Sequence, residues 1–473
     1  MSVFTRAQIR QFRAVLRRSK IGKQSGGVTP RLTLVSFGDR YVLQAMSDTV
    51  AVELSVQAPC PSSRITLPLD VLQVCEGHSE DPVTFRQTAN GRISVEWIDQ
   101  RVPQVREYDP LPEDDVTSFP GVPKELSSNP QEFWTALRDA VGSAERVRTR
   151  YALDCLQLRG HTGQIVATDG QQALAQSGFT FPWTNDVLIP ALPVVGCREL
   201  SQDVPVSIGR DVDWVVLLIG TWKIALKVEK DAHFPKIDAV IPSTASTRSR
   251  LNLTPEDAQF LIATLPKLPS EDDCHWPVTV DLNGHVAIRG KAADDSPPTE
   301  LILSHSRLHG EPVRWQTNRK LLTRAVRLGF RDVCLTNPES PALCDDGQRQ
   351  FVWAVLNPQC AIPHHADAVR IESPVTRKRI ADRKAPRSFS NDTLAPRTVT
   401  VADLQHTSPA EEISTETTTI TSLIDGAEAL KTSLRDLLGK TNALVVGLKR
   451  QRRQSRLMRS TLNSLKQLQT IDA

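Results

Sequence analysis

The chain has 473 residues, of which 40% are hydrophobic and 23% are charged, and it carries 57 Lys+Arg against 54 Asp+Glu. This length exceeds that of one domain and suits three or four, and the composition is that of an ordinary globular protein. No apolar run reaches the roughly 18 residues of a membrane-spanning helix, and the basic N-terminus lacks the apolar core of a secretory signal. We therefore expect a cytoplasmic protein that does not interact with membranes.

The cysteine and histidine pattern indicates neither disulfides nor a metal centre. The eight cysteines are scattered without a CxxC pair, which favours reduced thiols. Cys360, His364 and His365 lie close in sequence but lack a fourth ligand at a suitable spacing, so we expect no zinc. No nucleophile–His–acid set and no phosphate-binding loop stands out, and Asp169, in a Thr-Asp-Gly turn, is expected to cap the backbone. The sequence therefore predicts no enzyme and no cofactor.

Charge is unevenly distributed along the chain. Residues 366–473 hold 18 Lys+Arg and 12 Asp+Glu, so the remaining residues hold 39 and 42. A slightly acidic body with a basic tail argues against a protein that coats DNA with positive surface. It allows a protein that concentrates its positive charge in one place.

Helix-start signals recur at a nearly constant interval. Caps at Thr5, at Asn129 before Pro130 and at Thr254 before Pro255 are 124 and 125 residues apart, and a capping residue followed by proline is a frequent helix opening. A second helical pattern follows in each unit, near residues 67, 189 and 317, and alternating strand-like runs lie between and after the helices. The sequence thus predicts three repeats of helix, strands, helix, strands before residue 365.

The middle repeat resembles a known family. It contains RYALDCLQLRGHTGQIVATDGQQALA at residues 150–175 and WKIALKVEKDAHFPKIDAVIP at residues 222–242. The ATDG turn and the FP-x5-IP ending, in this order and spacing, are similar to the middle domain of the bacterial sliding clamp, the beta subunit of DNA polymerase III. The resemblance covers about residues 1–362. It implies an α+β fold of three tandem DNA-clamp domains, each with two helices packed on antiparallel sheets.

The domain boundaries follow from the repeat and from changes in composition. We expect clamp domains at residues 1–118, 119–245 and 246–365, joined by Pro-rich acidic and polar connectors. Residues 366–419 are basic and then Ser/Thr/Pro-rich, which predicts a disordered linker. From Leu423 apolar residues return at three- and four-residue spacing, which predicts a coiled-coil-like helix over 420–471. The resemblance does not cover this extension.

The first helix is basic, with no acidic residue between Met1 and Lys23. Arg6, Arg10, Arg13 and Arg17 share one face, which is typical either of a solvated surface or of a stripe aimed at DNA phosphates. The resemblance implies the second reading, because clamp helices line the hole that holds DNA through sequence-independent, salt-sensitive contacts. Asp139, Glu256 and Asp257 make the expected lining uneven. The predicted DNA-binding residues are Arg6, Arg10, Arg13, Arg17, Lys20, Arg150, Tyr151, Arg319, Lys320, Arg324 and Arg327.

The resemblance also implies a partner pocket between the second and third domains, where polymerases and clamp loaders dock a short peptide. Each residue of this pocket is, taken alone, more often plain core, and only their joint match favours a pocket. Gln171, Gln172 and Ala173 after the ATDG turn depart from the family pattern, which implies a changed peptide preference or a weakened pocket. The predicted wall consists of Leu153, Thr168, Gly170, Pro235, Val240 and Leu356.

These expectations define the functional hypothesis. The chain is expected to form a head-to-tail homodimer ring around double-stranded DNA and to tether polymerase or repair proteins. The alternative is a divergent clamp paralogue that acts as a non-replicative adaptor through its C-terminal coiled coil. The tail could also cover the partner pocket, through QLQTI at 467–471, or hold nucleic acid through LKRQRRQSRLMR.

Overall fold

A computed structural model of the chain describes residues 2–22, 30–112, 118–146, 151–200, 204–270, 272, 274–292 and 296–374. All of them lie in one compact unit, Met1–Ile380. The predicted helix over 420–471, most of the predicted linker, and Arg150 lie outside the described residues.

The first third of the chain begins with a capped helix. The Thr5 side chain accepts a hydrogen bond from the Gln8 backbone N–H, and the Gln8 side chain accepts one from the Thr5 backbone N–H. This reciprocal capping box confirms the predicted helix start. The elements in this part are β1 (Ser2–Thr5), α1 (Arg6–Arg18), β2 (Arg31–Ser36), β3 (Arg40–Met46), β4 (Val50–Gln57), β5 (Ser63–Pro68), α2 (Val71–Cys75), β6 (Pro82–Gln87), β7 (Ile93–Asp99) and β8 (Val102–Tyr108).

In the second third, the first predicted helix is present but Asn129 does not cap it, and the second predicted helix is absent. Its first helix starts at Glu132, because the Asn129 side chain is bonded to both the backbone N–H and the carbonyl oxygen of Thr180 and cannot cap a helix. In place of the second predicted helix are two 3-10 turns, Pro193–Gly196 and Arg198–Leu200, where a proline and a glycine interrupt the pattern. The elements are β9 (Leu126–Asn129), α3 (Glu132–Val141), β10 (Cys155–Arg159), β11 (Gln164–Thr168), β12 (Gln172–Gln176), β13 (Asp186–Pro190), β14 (Val206–Asp211), β15 (Trp214–Ile219) and β16 (Trp222–Lys227).

The last described part again opens on a predicted cap, since the Thr254 side chain accepts from the Asp257 N–H. It ends with a strand at Val369–Glu372, which corrects the start of the predicted disordered linker: these residues are ordered by pairing with an earlier strand. The elements are β17 (Ser249–Asn252), α4 (Pro255–Thr264), β18 (Pro277–Asp281), β19 (Ala287–Gly290), β20 (Thr299–Ile302), β21 (Arg307–Gly310), β22 (Arg314–Asn318), α5 (Arg319–Arg327), β23 (Asp332–Leu335), β24 (Ala342–Asp345), β25 (Arg349–Trp353) and β26 (Val369–Glu372).

Four sheets organise these strands, in the orders β1-β6-β7-β8, β5-β2-β3-β4-β16-β15-β14-β9, β13-β10-β11-β12-β25-β24-β23-β17-β21 and β22-β18-β19-β20-β26. The two long sheets are each made of two strand groups that join edge to edge. The joints are the antiparallel pairs β4–β16 and β12–β25. The groups β5-β2-β3-β4 and β13-β10-β11-β12 each use the strand at one edge, β4 or β12, for the joint. The partner strand, β16 or β25, is the last strand along the chain of the group that follows.

The helices form a connected series. Helix α1 contacts α2 and the 3-10 turn Pro193–Gly196, that turn contacts α3, and α4 contacts α5. Hydrogen bonds from Arg324 of α5 to the end of α3 complete the series. Most of the buried apolar side chains form two clusters, one drawn from residues 4–228 and one from residues 174–353. This sheet-rich architecture with few helices agrees with the predicted α+β class.

Candidate DNA-facing and partner-binding surfaces

Two of the predicted DNA-binding arginines of α1 are engaged within the protein. The Arg6 side chain, 11% exposed, forms an ion pair of 2.8 Å with Asp99 and also donates to backbone carbonyl oxygens, including that of Glu76. Arg13 forms an ion pair with the Glu76 carboxylate. These two guanidinium groups therefore hold α1 against the end of β7 and the residue that follows α2, and Arg6 has little surface left for DNA.

The outward face of α1 carries the remaining cations. Arg10 and Arg17 are exposed, as are Arg18 and Lys20 just beyond them. Lys20 has a left-handed backbone with φ of 61°, a conformation that often terminates helices. This face therefore presents a cluster of positive charge to solvent.

The prediction that Arg319, the first cation of α5, binds DNA is wrong, because this residue is buried. Arg319 is 3% exposed; its guanidinium lies 4.6 Å from the centroid of the Trp276 ring and donates to the Leu268 carbonyl oxygen. It therefore belongs to the core and not to a DNA-binding surface. Lys320 is exposed, and its Nζ lies 4.4 Å from the same ring centroid.

The two later cations of α5 also differ: Arg324 is bonded within the protein and Arg327 is exposed. Arg324 donates to the Asp139 carbonyl oxygen at 2.7 Å and to the Ser143 hydroxyl at 2.8 Å. Burial lowers the pKa of Arg324, although the carboxylates of Asp139 and Asp169 act in the opposite direction. Arg327, one turn further on, is exposed. Arg324 thus joins α5 to α3, and Arg327 faces solvent.

Tyr151 lies in the segment between α3 and β10. It is 50% exposed, and the next residue, Ala152, donates its N–H to the carbonyl oxygen of His233 at 3.1 Å. Asp139, one of the acidic residues expected to make the lining uneven, has its pKa raised by burial, despite the opposing influence of Arg138 and Arg324.

The turn Thr168–Gly170 is built by side-chain hydrogen bonds. The Thr168 hydroxyl donates to the Gln172 carbonyl oxygen at 2.7 Å and accepts from the Gly170 N–H at 3.1 Å. Asp169 Oδ1 accepts from the N–H groups of Gln171 and Gln172, both at 2.9 Å. Gly170 has φ of +88°, which the absence of a side chain permits. The capping role predicted for Asp169 is therefore confirmed.

Part of the predicted partner pocket comes together around this turn. A Cβ built on Gly170 would lie 3.9 Å from Leu153 Cδ1, so the two residues are neighbours. Pro235 and Val240 flank Ile237, which is buried in an apolar cluster with strand residues Val166, Ala173, Ala175, Cys334, Leu343 and Val352. Val240 itself is 57% exposed.

The segment that carries Leu356 leaves the end of β25 beside the turn. Ala354 donates its N–H to the Gln171 carbonyl oxygen at 2.9 Å, and Leu356 donates its N–H to the Gln316 carbonyl oxygen at 2.8 Å. Leu356 is half-buried. The segment after β25 thus passes beside the Thr168–Gly170 turn, and Leu356 lies beyond that point.

Sequence reasoning missed a buried ion cluster in the last sheet. Arg289 pairs with Asp281 at 2.6 Å and with Glu300 at 2.7 Å, and these three side chains are almost fully buried. Arg314 adds a second partner for Asp281, and Arg370 of β26 adds one for Glu300 at 3.0 Å. The three buried members lie one on each of β18, β19 and β20, so their proximity depends on strand register and not on local sequence.

The remaining chemistry-bearing residues form no additional centre. In the described ranges, no group of three or more His, Cys, Asp or Glu is placed to hold a metal ion, and no helix there is long and apolar enough to span a bilayer. None of the eight cysteines, all of which lie in the described ranges, is part of a disulfide, and Cys274 and Cys360 are exposed. Burial raises the pKa of Cys75 to about 12, and burial together with Glu199 raises that of Cys197 to about 12.

Comparison with known proteins identifies the fold. No protein-family model and no curated protein matches the chain. Among solved structures, the DNA polymerase III subunit beta of Pseudomonas aeruginosa aligns at 18% identity and TM-score 0.62, covering 75% of this chain and 99% of that one. A putative beta subunit from Eubacterium rectale gives 13% and 0.62, with 75% and 99% covered. The Thermotoga maritima beta subunit gives 13% and 0.60, with 75% and 98% covered. The chain has the fold of the bacterial sliding clamps, as the resemblance implied.

Proposed function

We propose that the chain is a DNA sliding clamp: two copies form a closed ring around duplex DNA in the cytoplasm and tether polymerase or repair proteins, without catalysis of their own. The observation that carries this proposal is the match of the sliding-clamp fold over nearly the whole length of the aligned clamp structures.

The connected helices supply the surface for DNA. Exposed Arg10 and Arg17 on α1, and Lys320 and Arg327 on α5, place positive charge on elements of one helix series. Such cations contact phosphates without reading bases, and their contribution weakens as counterions compete. A ring that holds DNA topologically needs only weak contacts of this kind, because strong or base-specific contacts would oppose sliding.

The arrangement of the sheets supports ring closure by two copies. We propose three domains, at residues 1–118, 119–245 and 246–365, joined by the antiparallel pairs β4–β16 and β12–β25. By the same rule, β20 of the third domain would pair with the last strand of a following domain. The last strand of the first domain, β8, ends its own sheet. Pairing of β20 in one copy with β8 in another, made twice, gives a closed head-to-tail ring.

The group around Gly170 is the proposed docking site for a partner peptide. Leu153, Thr168 and Gly170 form its centre, with Pro235, Val240 and Leu356 at its margin. Apolar side chains next to backbone polar groups are the kind of surface that binds a short peptide.

Retention on circular DNA tests encirclement. Protein incubated with nicked plasmid should remain bound after a salt wash and be released when the plasmid is linearised. A linear duplex blocked at both ends by bulky complexes is the control and should retain the protein as the circle does. Equal release from circular and open linear DNA would contradict a closed ring and would favour the alternative, an adaptor that works through the predicted coiled coil.

A further inference from the structure

The last sheet carries a strand that has no counterpart in the other sheets. β26 pairs with β20 in the register Thr299↔Val369 to Ile302↔Glu372. It is the one parallel pair among the described strands, where all other ladders are antiparallel. β26 therefore occupies the edge of β20 to which the proposed ring assigns β8 of a second copy.

Backbone bonds fix both ends of this added strand. Val369 donates its N–H to the Pro298 carbonyl oxygen at 3.0 Å, and Ser373 donates its N–H to the Ile302 carbonyl oxygen at 2.9 Å. The Ser373 hydroxyl, in a residue that is 2% exposed, accepts from the backbone N–H of Ser304 at 3.0 Å. The contact is thus a built ladder with an anchored end.

One ion pair ties the strand to the buried cluster. Arg370 Nε lies 3.0 Å from Glu300 Oε2; the Glu300 side chain is fully buried and is also bonded to Arg289. Removal of β26 leaves Glu300 paired with Arg289. The carboxylate would therefore not be left without a cation, and displacement does not strand a buried charge.

Little apolar burial holds β26 in place. All four of its residues are exposed, including Val369 at 55% and Ile371 at 42%. The free edge of β8 likewise exposes Val102 at 56% and Val105 at 62%. An unpaired edge strand is a template for another strand, and antiparallel pairing is slightly more stable per residue than parallel pairing. β8 of a second copy is therefore a competent competitor for β20.

We propose that β26 is a displaceable cap on the ring-closing edge: it pairs with β20 in the free chain, and β8 of a second copy replaces it when the ring forms. This inference rests on the proposed head-to-tail ring. Its consequence is that the chain limits its own assembly, since each joint must release one cap before it can form.

Two proline variants of the full chain test the cap. In a parallel ladder alternate N–H groups face the same neighbour, so the bonds from Val369 and Ser373 direct the Ile371 N–H toward β20 and the Glu372 N–H away from it. Ile371→Pro removes a donor from the ladder, whereas Glu372→Pro, on the outward side, is the matched control. Mass is measured by sedimentation over a concentration series, with a melting curve for each variant to verify folding.

Ile371→Pro is expected to lower the dimer dissociation constant on the order of tenfold or more relative to the native chain and to Glu372→Pro. A peptide of residues 366–374, added in excess, should reverse that shift. A second change in the Ile371→Pro chain, Val105→Pro, should abolish the dimer. Dissociation constants that are equal in the native chain and the Ile371→Pro variant, at any absolute value, would overturn the cap.

Retention on nicked circular DNA separates this inference from the function on which it rests. If the native and Ile371→Pro chains are both retained and both released on linearisation, with the same dimer dissociation constant, the clamp function is supported and the proposed role of β26 as a cap is contradicted. If neither chain is retained, the clamp itself fails.

Discussion

Arg324 donates a hydrogen bond of 2.7 Å to the carbonyl oxygen of Asp139, which lies 185 positions earlier in the chain. Asp139 is in the last turn of α3, where carbonyl oxygens lack partners within the helix. A cation is favourable there because the helix C-terminus carries partial negative charge. One side chain of α5 thus caps another helix, which links two parts of the chain that the sequence predicts as separate domains.

The hydrogen bonds of Arg324 predict that this residue contributes to the stability of the fold and not to DNA binding. We expect Arg324→Met to lower the free energy of unfolding by about 2 kcal/mol, because it removes charged hydrogen bonds to a carbonyl oxygen and to the Ser143 hydroxyl. Denaturant titration measures it. Arg327→Met, on the exposed side of the same helix, is the matched control and should stay within roughly 0.5 kcal/mol of the native chain. The assignment is contradicted if the two variants are equally stable.

A second prediction concerns the exposed face of α1. If Arg10 and Arg17 contact phosphates, the double change to glutamine should reduce the slope of log affinity against log salt by about 1.8, because each phosphate contact on duplex DNA contributes about 0.9. Binding measured over a range of salt concentrations provides the slope. Arg86→Gln is the control, since that side chain is 60% exposed and pairs with Glu96 on the neighbouring strand of a sheet. An unchanged slope in the double variant would place DNA elsewhere.

A third prediction follows from the buried cluster. Burial by itself would raise the pKa of Asp281, but hydrogen bonds from Arg289, from the Asn283 N–H and from Arg314 outweigh it, so the pKa is lowered from its ordinary value. The folded state therefore gains stability from the ionised carboxylate above the unfolded-state pKa of about 3.9 and loses it as pH falls through the lower folded pKa.

The melting temperature of the native chain should accordingly be level near neutral pH and fall below about pH 4. Asp281→Asn should melt at a lower temperature at neutral pH and lose less on acidification. A native chain and variant with parallel curves throughout would show that Asp281 contributes nothing to the acid dependence.

The fourth prediction tests the proposed peptide site. Val240 is 57% exposed, so Val240→Asp should leave folding intact while placing a charge at the margin of the site. We expect its affinity for a clamp-binding polymerase peptide to fall on the order of tenfold. Val212→Asp, at a residue that is 75% exposed in the turn between β14 and β15, is the control. Fluorescence anisotropy with labelled peptide distinguishes them, and equal affinities would remove Val240 from the site.

Helix caps could be predicted from the sequence where the hydrogen-bond partner of the capping side chain lies nearby in the chain. The Thr5 and Thr254 caps were predictable because each bonds a backbone group three residues away. The Asn129 cap was not, because its amide is taken up by Thr180, 51 residues later. In these three positions the signal in the sequence was alike, and only the tertiary neighbour differed.

The same limit applies to the candidate surfaces. Arg319 and Arg327 belong to one cationic helix, yet Trp276 covers the first and solvent surrounds the second. The segment Val369–Glu372 opens a stretch whose composition predicts disorder, but it is a strand because β20 lies beside it. The family resemblance predicted the fold and the partner pocket. The contacts that Arg6, Arg319 and Arg324 make within the protein could be seen only in the structure.

The distribution of thiols offers a practical route to watching this molecule assemble. Cys274 and Cys360 are the exposed ones, Cys60 is partly covered, and the other five are buried. A Cys274→Ser chain would accept a fluorophore mainly at Cys360, close to the sheet that ends in β26. Paired donor and acceptor dyes on two such chains would report association, opening and strand exchange in real time, one complex at a time.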